Sequence, residues 1–88
     1  MKAVFRKSFA RDLKRIKDQG IRNRILQAIE QVESVSNLQS IDGLKKLSGS
    51  GSFFRIRIGD YRIGLAFDGE SVEFVRCLPR RDLYRYFP

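Results

Sequence analysis

From residue 53 to residue 67 apolar and polar positions alternate, FFRIRI and then YRIGLAF, with Gly59-Asp60 between the two runs. Period-two alternation marks strands with one face in a core, and a two-residue link with glycine first suits a type II′ hairpin turn. Asp68-Gly69 suits a type I′ turn into a third strand, from Glu70 or Ser71 to Leu78, which Pro79 stops because it cannot donate to a ladder. Upstream the period changes. Phe9, Leu13 and Ile16 fall at i, i+4 and i+7, predicting a helix with Ser8 as its N-cap and Gly20 at its end. Ile21, Ile25, Ala28, Ile29 and Val32, widened by Leu26, predict a second helix over 21–35. Lys2 to Arg6 predicts a short strand. Asn37 to Ser52 reads as a loop pinned by Leu38, Ile41, Leu44 and Leu47, with a mobile SGSGS stretch before the strands. The closing RRDLYRYFP reads as a short helix or tail anchored by Phe87 and Pro88.

The order is strand, helix, helix, then a three-stranded antiparallel meander. It predicts one α+β domain over 1–88, with both helices on one face of the sheet and the other face free. A two-residue turn at Gly59-Asp60 pairs Ile58 with Tyr61, Arg57 with Arg62, Ile56 with Ile63 and Arg55 with Gly64. Ile56, Ile58, Ile63 and Leu65 then face the helices, and Arg55, Arg57 and Arg62 face the other way. Like charges directly across a hairpin destabilise it. Three guanidinium groups on one face therefore point to an anion site, since arginine is a planar, permanently charged donor suited to phosphate oxygens. For the third strand two registers stay open. A two-residue Asp68-Gly69 turn puts Val72 and Phe74 inside, with Glu73 and Val75 on the arginine face and Glu73 opposite Gly64. A longer turn puts Val75 and Cys77 inside.

Composition sharpens this picture. The 88 residues carry a net charge of +8, which favours a polyanionic or acidic partner. There is no histidine, so histidine acid–base chemistry and histidine metal ligation are excluded, and one cysteine, Cys77, builds neither a disulfide nor a thiolate zinc site. No glycine-rich phosphate loop is present. Any catalysis must run on Arg, Lys, Tyr, Asp or Glu. No apolar run reaches membrane-spanning length and the N-terminus lacks a signal-peptide core, so a cytoplasmic protein without membrane contact is expected.

The stretches LKKLSGSGSFFRIRIGDYRIGLAF and VRCLPRRDLYRYF resemble the RelE/ParE superfamily of bacterial toxins, the RelE branch more closely. Residues 44 to 86 carry the specific part of the likeness, and the N-terminal helices match as a pattern. The resemblance implies a ribosome-dependent mRNA endonuclease that uses the ribose 2′-OH against the neighbouring phosphate, without metal or other cofactor. It implies a site of Arg55, Arg57, Arg62, Arg80 and Tyr84, with Tyr86 as the alternative tyrosine. Lys45 and Lys46 read as a solvated loop pair and Arg81 as a rim charge, and the resemblance offers ribosomal RNA as their contact. Pro79 replaces the histidine many relatives carry, and arginines replace a lysine pair. Arginine is a poor general base, so the arginines bind phosphate while the base is left open among Tyr84, Tyr86 and Glu73. The implied partners are the ribosome, mRNA and a cognate antitoxin, acidic or amphipathic, from an adjacent gene. A ParE-like gyrase inhibitor and a non-catalytic basic RNA-binding module are the alternatives.

Overall fold

The computed structural model describes residues 1–47 and 51–88. The elements are β1 (Lys2–Phe5), α1 (Lys7–Arg15), α2 (Gln19–Ser34), a 3-10 turn (Leu38–Ser40), β2 (Leu44–Lys46), β3 (Phe53–Ile58), β4 (Tyr61–Phe67), β5 (Ser71–Pro79) and α3 (Arg80–Tyr86). They form one sheet in the order β1-β5-β4-β3-β2, with β1 parallel to β5 and the other pairs antiparallel. The α+β expectation holds. Phe9, Ile16, Ile25, Ala28, Ile29 and Val32 of the helical hairpin pack on Ile56, Ile58, Ile63, Leu65, Val72 and Phe74 of the sheet. This is the core the two periodicities require.

The helical hairpin breaks earlier than expected. Helix α1 ends at Arg15, and α2 starts at Gln19 with Asp18 as its cap, the carboxylate accepting from Ile21 N at 3.1 Å. Gly20 therefore lies in the first turn of α2 and does not end α1. Arg22 reaches back and donates to Leu13 O at 2.6 Å and Ile16 O at 3.2 Å, which satisfies the free carbonyls at the end of α1. Leu26 does not widen the buried stripe, since it is exposed. Nor does Ser8 cap α1: its hydroxyl donates to Val75 O at 2.5 Å.

The β3–β4 pairing is the expected one, Ile58 with Tyr61, Arg57 with Arg62 and Arg55 with Gly64. At its turn Gly59 has φ +55° and Asp60 does not have positive φ, the type II′ combination. The next connection departs from the two-residue turn. Asp68 Oδ1 accepts from Glu70 N at 2.8 Å and Ser71 N at 2.7 Å, so a side chain organises a longer loop and Phe67 pairs with Val72. Those donors, Ser71 first, hold the Asp68 carboxyl below its ordinary range. A bulge then shifts the register between Gly64 and Leu65, so Leu65 faces Phe74 and Gly64 faces Arg76. The extra residue lets Val72, Phe74 and Cys77 all be buried, combining parts of both registers left open by the sequence. On the turn side of the bulge, the longer loop by itself places Glu73 opposite Ala66, not Gly64.

The loop expected over Asn37 to Ser52 holds two short elements, the 3-10 turn and the edge strand β2. Expected mobility in SGSGS falls in part on residues 48–50, which lie outside the described residues. Leu44 pairs with Ile56 and Lys45 with Arg55. Two lysines on a three-residue edge strand discourage further pairing there.

Beyond the end of β1, the edge of β5 is satisfied by α1. Asp12, 3% exposed, accepts from Cys77 N at 2.9 Å, from Arg76 Nε at 2.7 Å and from Arg76 Nη2 at 3.1 Å. Removing one member of a buried pair leaves the other charge stranded. Asp12→Ala should therefore lower unfolding free energy in urea by about 3 kcal/mol, the lower end for a buried pair, because Arg76 keeps 25% of its side chain in water. Burial, with Asp12 beside it, pushes the Cys77 thiol up to about 12. At pH 8 only about one thiol in ten thousand is thiolate, so native Cys77 should resist disulfide reagents and label at the rate of unfolding. Fast labelling of the folded chain would contradict this.

Candidate functional site

Strand alternation brings Arg55 and Arg57 of β3 and Arg62 of β4 onto the sheet face away from α1 and α2. That face is not free along its length, as α3 packs on β4 and β5 there. Phe87 covers Gly64, and its ring meets that of Phe53 edge-on at 5.6 Å and 87°. Helix α3 starts where Arg80 N donates to Asp60 O at 2.7 Å, which ties it to the β3–β4 turn. Arg80 and Tyr84, four residues apart, share one side of that helix.

Arg62 is the centre of the group. It is 7% exposed, and its Nη1 donates to Gly59 O at 2.8 Å and Tyr61 O at 2.9 Å. Its pKa is lowered, first by burial, then by the charges of Arg55, Arg80 and Arg57, while Tyr84 acts in the opposite direction. With Arg62 these make up the five residues that the resemblance implied, and the fold brings the other four within electrostatic reach of Arg62. Among the described residues no carboxylate forms a salt bridge with any of the four arginines. Arg55 donates from Nη1 to Gly43 O at 2.5 Å, while its buried Nε has no partner. Arg57 is exposed and stands at the rim. Arg80 is exposed as well, and Tyr84 is 56% exposed, so the group is one buried guanidinium rimmed by cations open to solvent, an arrangement suited to an oxyanion.

The other candidates separate. Lys45, opposite Arg55, lies on the arginine face, whereas Lys46, one residue on, belongs to the other face. Both are strand residues, not a loop pair. Arg81 is exposed. Tyr86 lies under Arg76, with the guanidinium carbon 5.7 Å from its ring centroid, in the Asp12–Arg76 group. Glu73 pairs with Arg6 at 3.0 Å and lines a shallow apolar depression of about 310 Å³ with Val4, Phe53 and Ala66. The longer loop at Asp68, which pairs Phe67 with Val72, thus takes Glu73 away from its expected place beside the arginines.

The chain matches the model of the ParE toxin of type II toxin–antitoxin systems over residues 3–84. It is 39% identical to Toxin RelE3 of Methanocaldococcus jannaschii across the full length of both chains. The chain belongs to the RelE/ParE superfamily of type II toxins. A solved RelB–RelE antitoxin–toxin complex from Methanococcus jannaschii contains a chain superposing with TM-score 0.83 at 38% identity, over 97% of this chain and 99% of that one. The Staphylococcus aureus YoeB dimer shares the fold at 18% identity and TM-score 0.72, over 89% of this chain and 94% of its own. The likeness read from residues 44–86 therefore extends along the whole RelE-like chain. No helix among the described residues is long and apolar enough to cross a membrane.

Sequence reasoning passed over Asp12, Arg76 and the contact of Phe87 with Gly64. One carboxylate among the cations of α1 was a visible signal for the first. The second depended on the bulge, and the third joins residues 23 positions apart (87 − 64).

A guanidinium buried among like charges burdens the fold of this RelE-like toxin. Arg62→Met should raise its unfolding free energy by about 1 kcal/mol in urea titration. Equal or lower stability would mean that the two carbonyl hydrogen bonds of Arg62 outweigh its repulsion.

Proposed function

We propose that this toxin cleaves mRNA engaged with the ribosome, by attack of a ribose 2′-OH on the adjacent phosphate. One observation carries the reading: the buried Arg62 feels Arg55, Arg80, Tyr84 and Arg57, and among the described residues no carboxylate is salt-bridged to these arginines. Arg62 and Arg55 hold the scissile phosphate, Arg80 adds charge from the helix side, and Arg57 guides the strand at the rim. Positive charge fixed before reaction stabilises a pentacovalent phosphorane better than the starting diester, which is how such a site lowers the barrier. The new bond joins the 2′-oxygen to phosphorus as the bond to the 5′-oxygen breaks. The products are a 2′,3′-cyclic phosphate and a 5′-hydroxyl. Protons must leave the 2′-oxygen and reach the 5′-oxygen, and Tyr84 is the acid–base group proposed for this role. Lys45 extends the basic face for RNA phosphates, and the exposed Arg81 adds charge from α3. An antitoxin, like the RelB chain in the Methanococcus jannaschii complex, is the proposed partner holding the toxin inactive.

The ParE description of the matching family model favours a second reading, inhibition of DNA gyrase without RNA cleavage. Induction in a bacterial host with transcriptome-wide mapping of 5′ ends separates the two. New 5′-hydroxyl ends within translated frames are expected. Arg62→Ala combined with Tyr84→Phe should reduce them at least about 100-fold, the scale for losing a charge-stabilising donor. Growth arrest with intact mRNA and a DNA-damage response would establish the gyrase reading instead.

A further inference from the structure

Helix α3 has seven residues, too few to hold itself in water. Its place on the sheet is set by what it buries. Leu83 is fully buried and Phe87 is 3% exposed. Phe87 follows the last helical residue in extended conformation and closes the helix end, its N donating to Leu83 O at 2.8 Å. Arg80 and Tyr84 share one side of the helix. The seating of Leu83 and Phe87 therefore fixes how α3 presents Arg80 and Tyr84, whose charges act on Arg62.

The Phe87 seat is unusually close. A Cβ at Gly64 would stand 2.8 Å from Cδ2, 2.9 Å from Cε2 and 2.9 Å from Cγ of the ring. Only glycine admits the ring at that depth, because β4 is held on both sides by β3 and β5 and cannot retreat. Phe53 closes the seat from β3. Gly64 also lies directly opposite Arg55 in the hairpin, so the seat adjoins the arginine cluster. Tyr86 against Arg76 supplies a second tether, itself held by Asp12.

We infer that Phe87, seated on Gly64, is a positioning residue for the cleavage centre. It sets Tyr84 and Arg80 against the arginines of the sheet and touches no reacting atom itself. This rests on the RNA-cleavage reading and adds to it a residue outside the proposed catalytic set. Displacement of the ring leaves Arg55 and Arg62, and hence most phosphate binding, in place while Tyr84 loses its orientation. A misplacement of about 1 Å can cost a positioned group about 100-fold in rate.

The test uses the full chain with programmed ribosomes, comparing wild type, Phe87→Leu and Gly64→Ala. In wild type the Gly64 Hα resonances should be shifted upfield by the overlying ring, and Phe87→Leu should abolish that shift while core resonances stay. Both variants should lose about 100-fold in single-turnover cleavage rate with affinity for programmed ribosomes within about twofold of wild type. A general structural defect would instead lower the active fraction and leave the rate per folded molecule unchanged. Should Phe87→Leu fail to fold, Gly64→Ala decides, since it attacks the same seat from the sheet. Wild-type cleavage that persists at full rate in a folded variant lacking the ring-current shift overturns the inference alone. A wild-type protein that cleaves nothing overturns the cleavage reading and this inference together.

Discussion

The Asp12 carboxylate joins parts of this fold that the sheet leaves open. Strand β1 ends before β5 does, so the later half of β5 presents an unpaired edge to α1. Asp12 takes up the Cys77 amide and the Arg76 guanidinium, and Ser8 covers the Val75 carbonyl. Side chains of a helix thereby stand in for a missing strand, which keeps the buried polar groups satisfied. The same contact neutralises Arg76, whose outer side carries the ring of Tyr86. One buried carboxylate thus links α1, the bulged strand and the C-terminal helix.

The two cationic regions of the sheet are managed in opposite ways. Arg76 is paired at once by a buried acid. Arg62, more deeply buried, is surrounded by other arginines and bonds only to backbone carbonyls. Folding tolerates that cluster because the isoleucine and leucine face behind it buries a continuous core. Unbalanced positive charge held rigid at a sheet surface is what the proposed RNA cleavage would draw on, and a stability cost is the usual trade for a functional site.

Much of this was legible in the chain itself. The hairpin register followed from period-two alternation around a glycine-first turn, and it placed Arg55, Arg57 and Arg62 together without tertiary information. Arg80 and Tyr84 came from the family resemblance, and only the helical state of α3, which the sequence left open, put them on one side. The third strand was another matter. Its loop was set by the side chain of Asp68, and its bulge let Val72, Phe74 and Cys77 all reach the interior, which no uniform alternation allows. Glu73 was misplaced because of the longer loop, and Lys45 and Lys46 were read as loop because a three-residue edge strand has too little pattern to register.

Local rules acting over a few residues therefore determined the strands of the hairpin, the helical stripes and the shared face of the arginines, while the family came from the resemblance of residues 44–86. They could do so because alternation and helical spacing are properties of the backbone. Tertiary structure alone decided which carboxylate meets which cation, where β5 bulges, and that Phe87 returns across the outer face to rest on Gly64. Those outcomes depend on groups distant in sequence competing for one buried space, and no pattern along the chain records which of them fits.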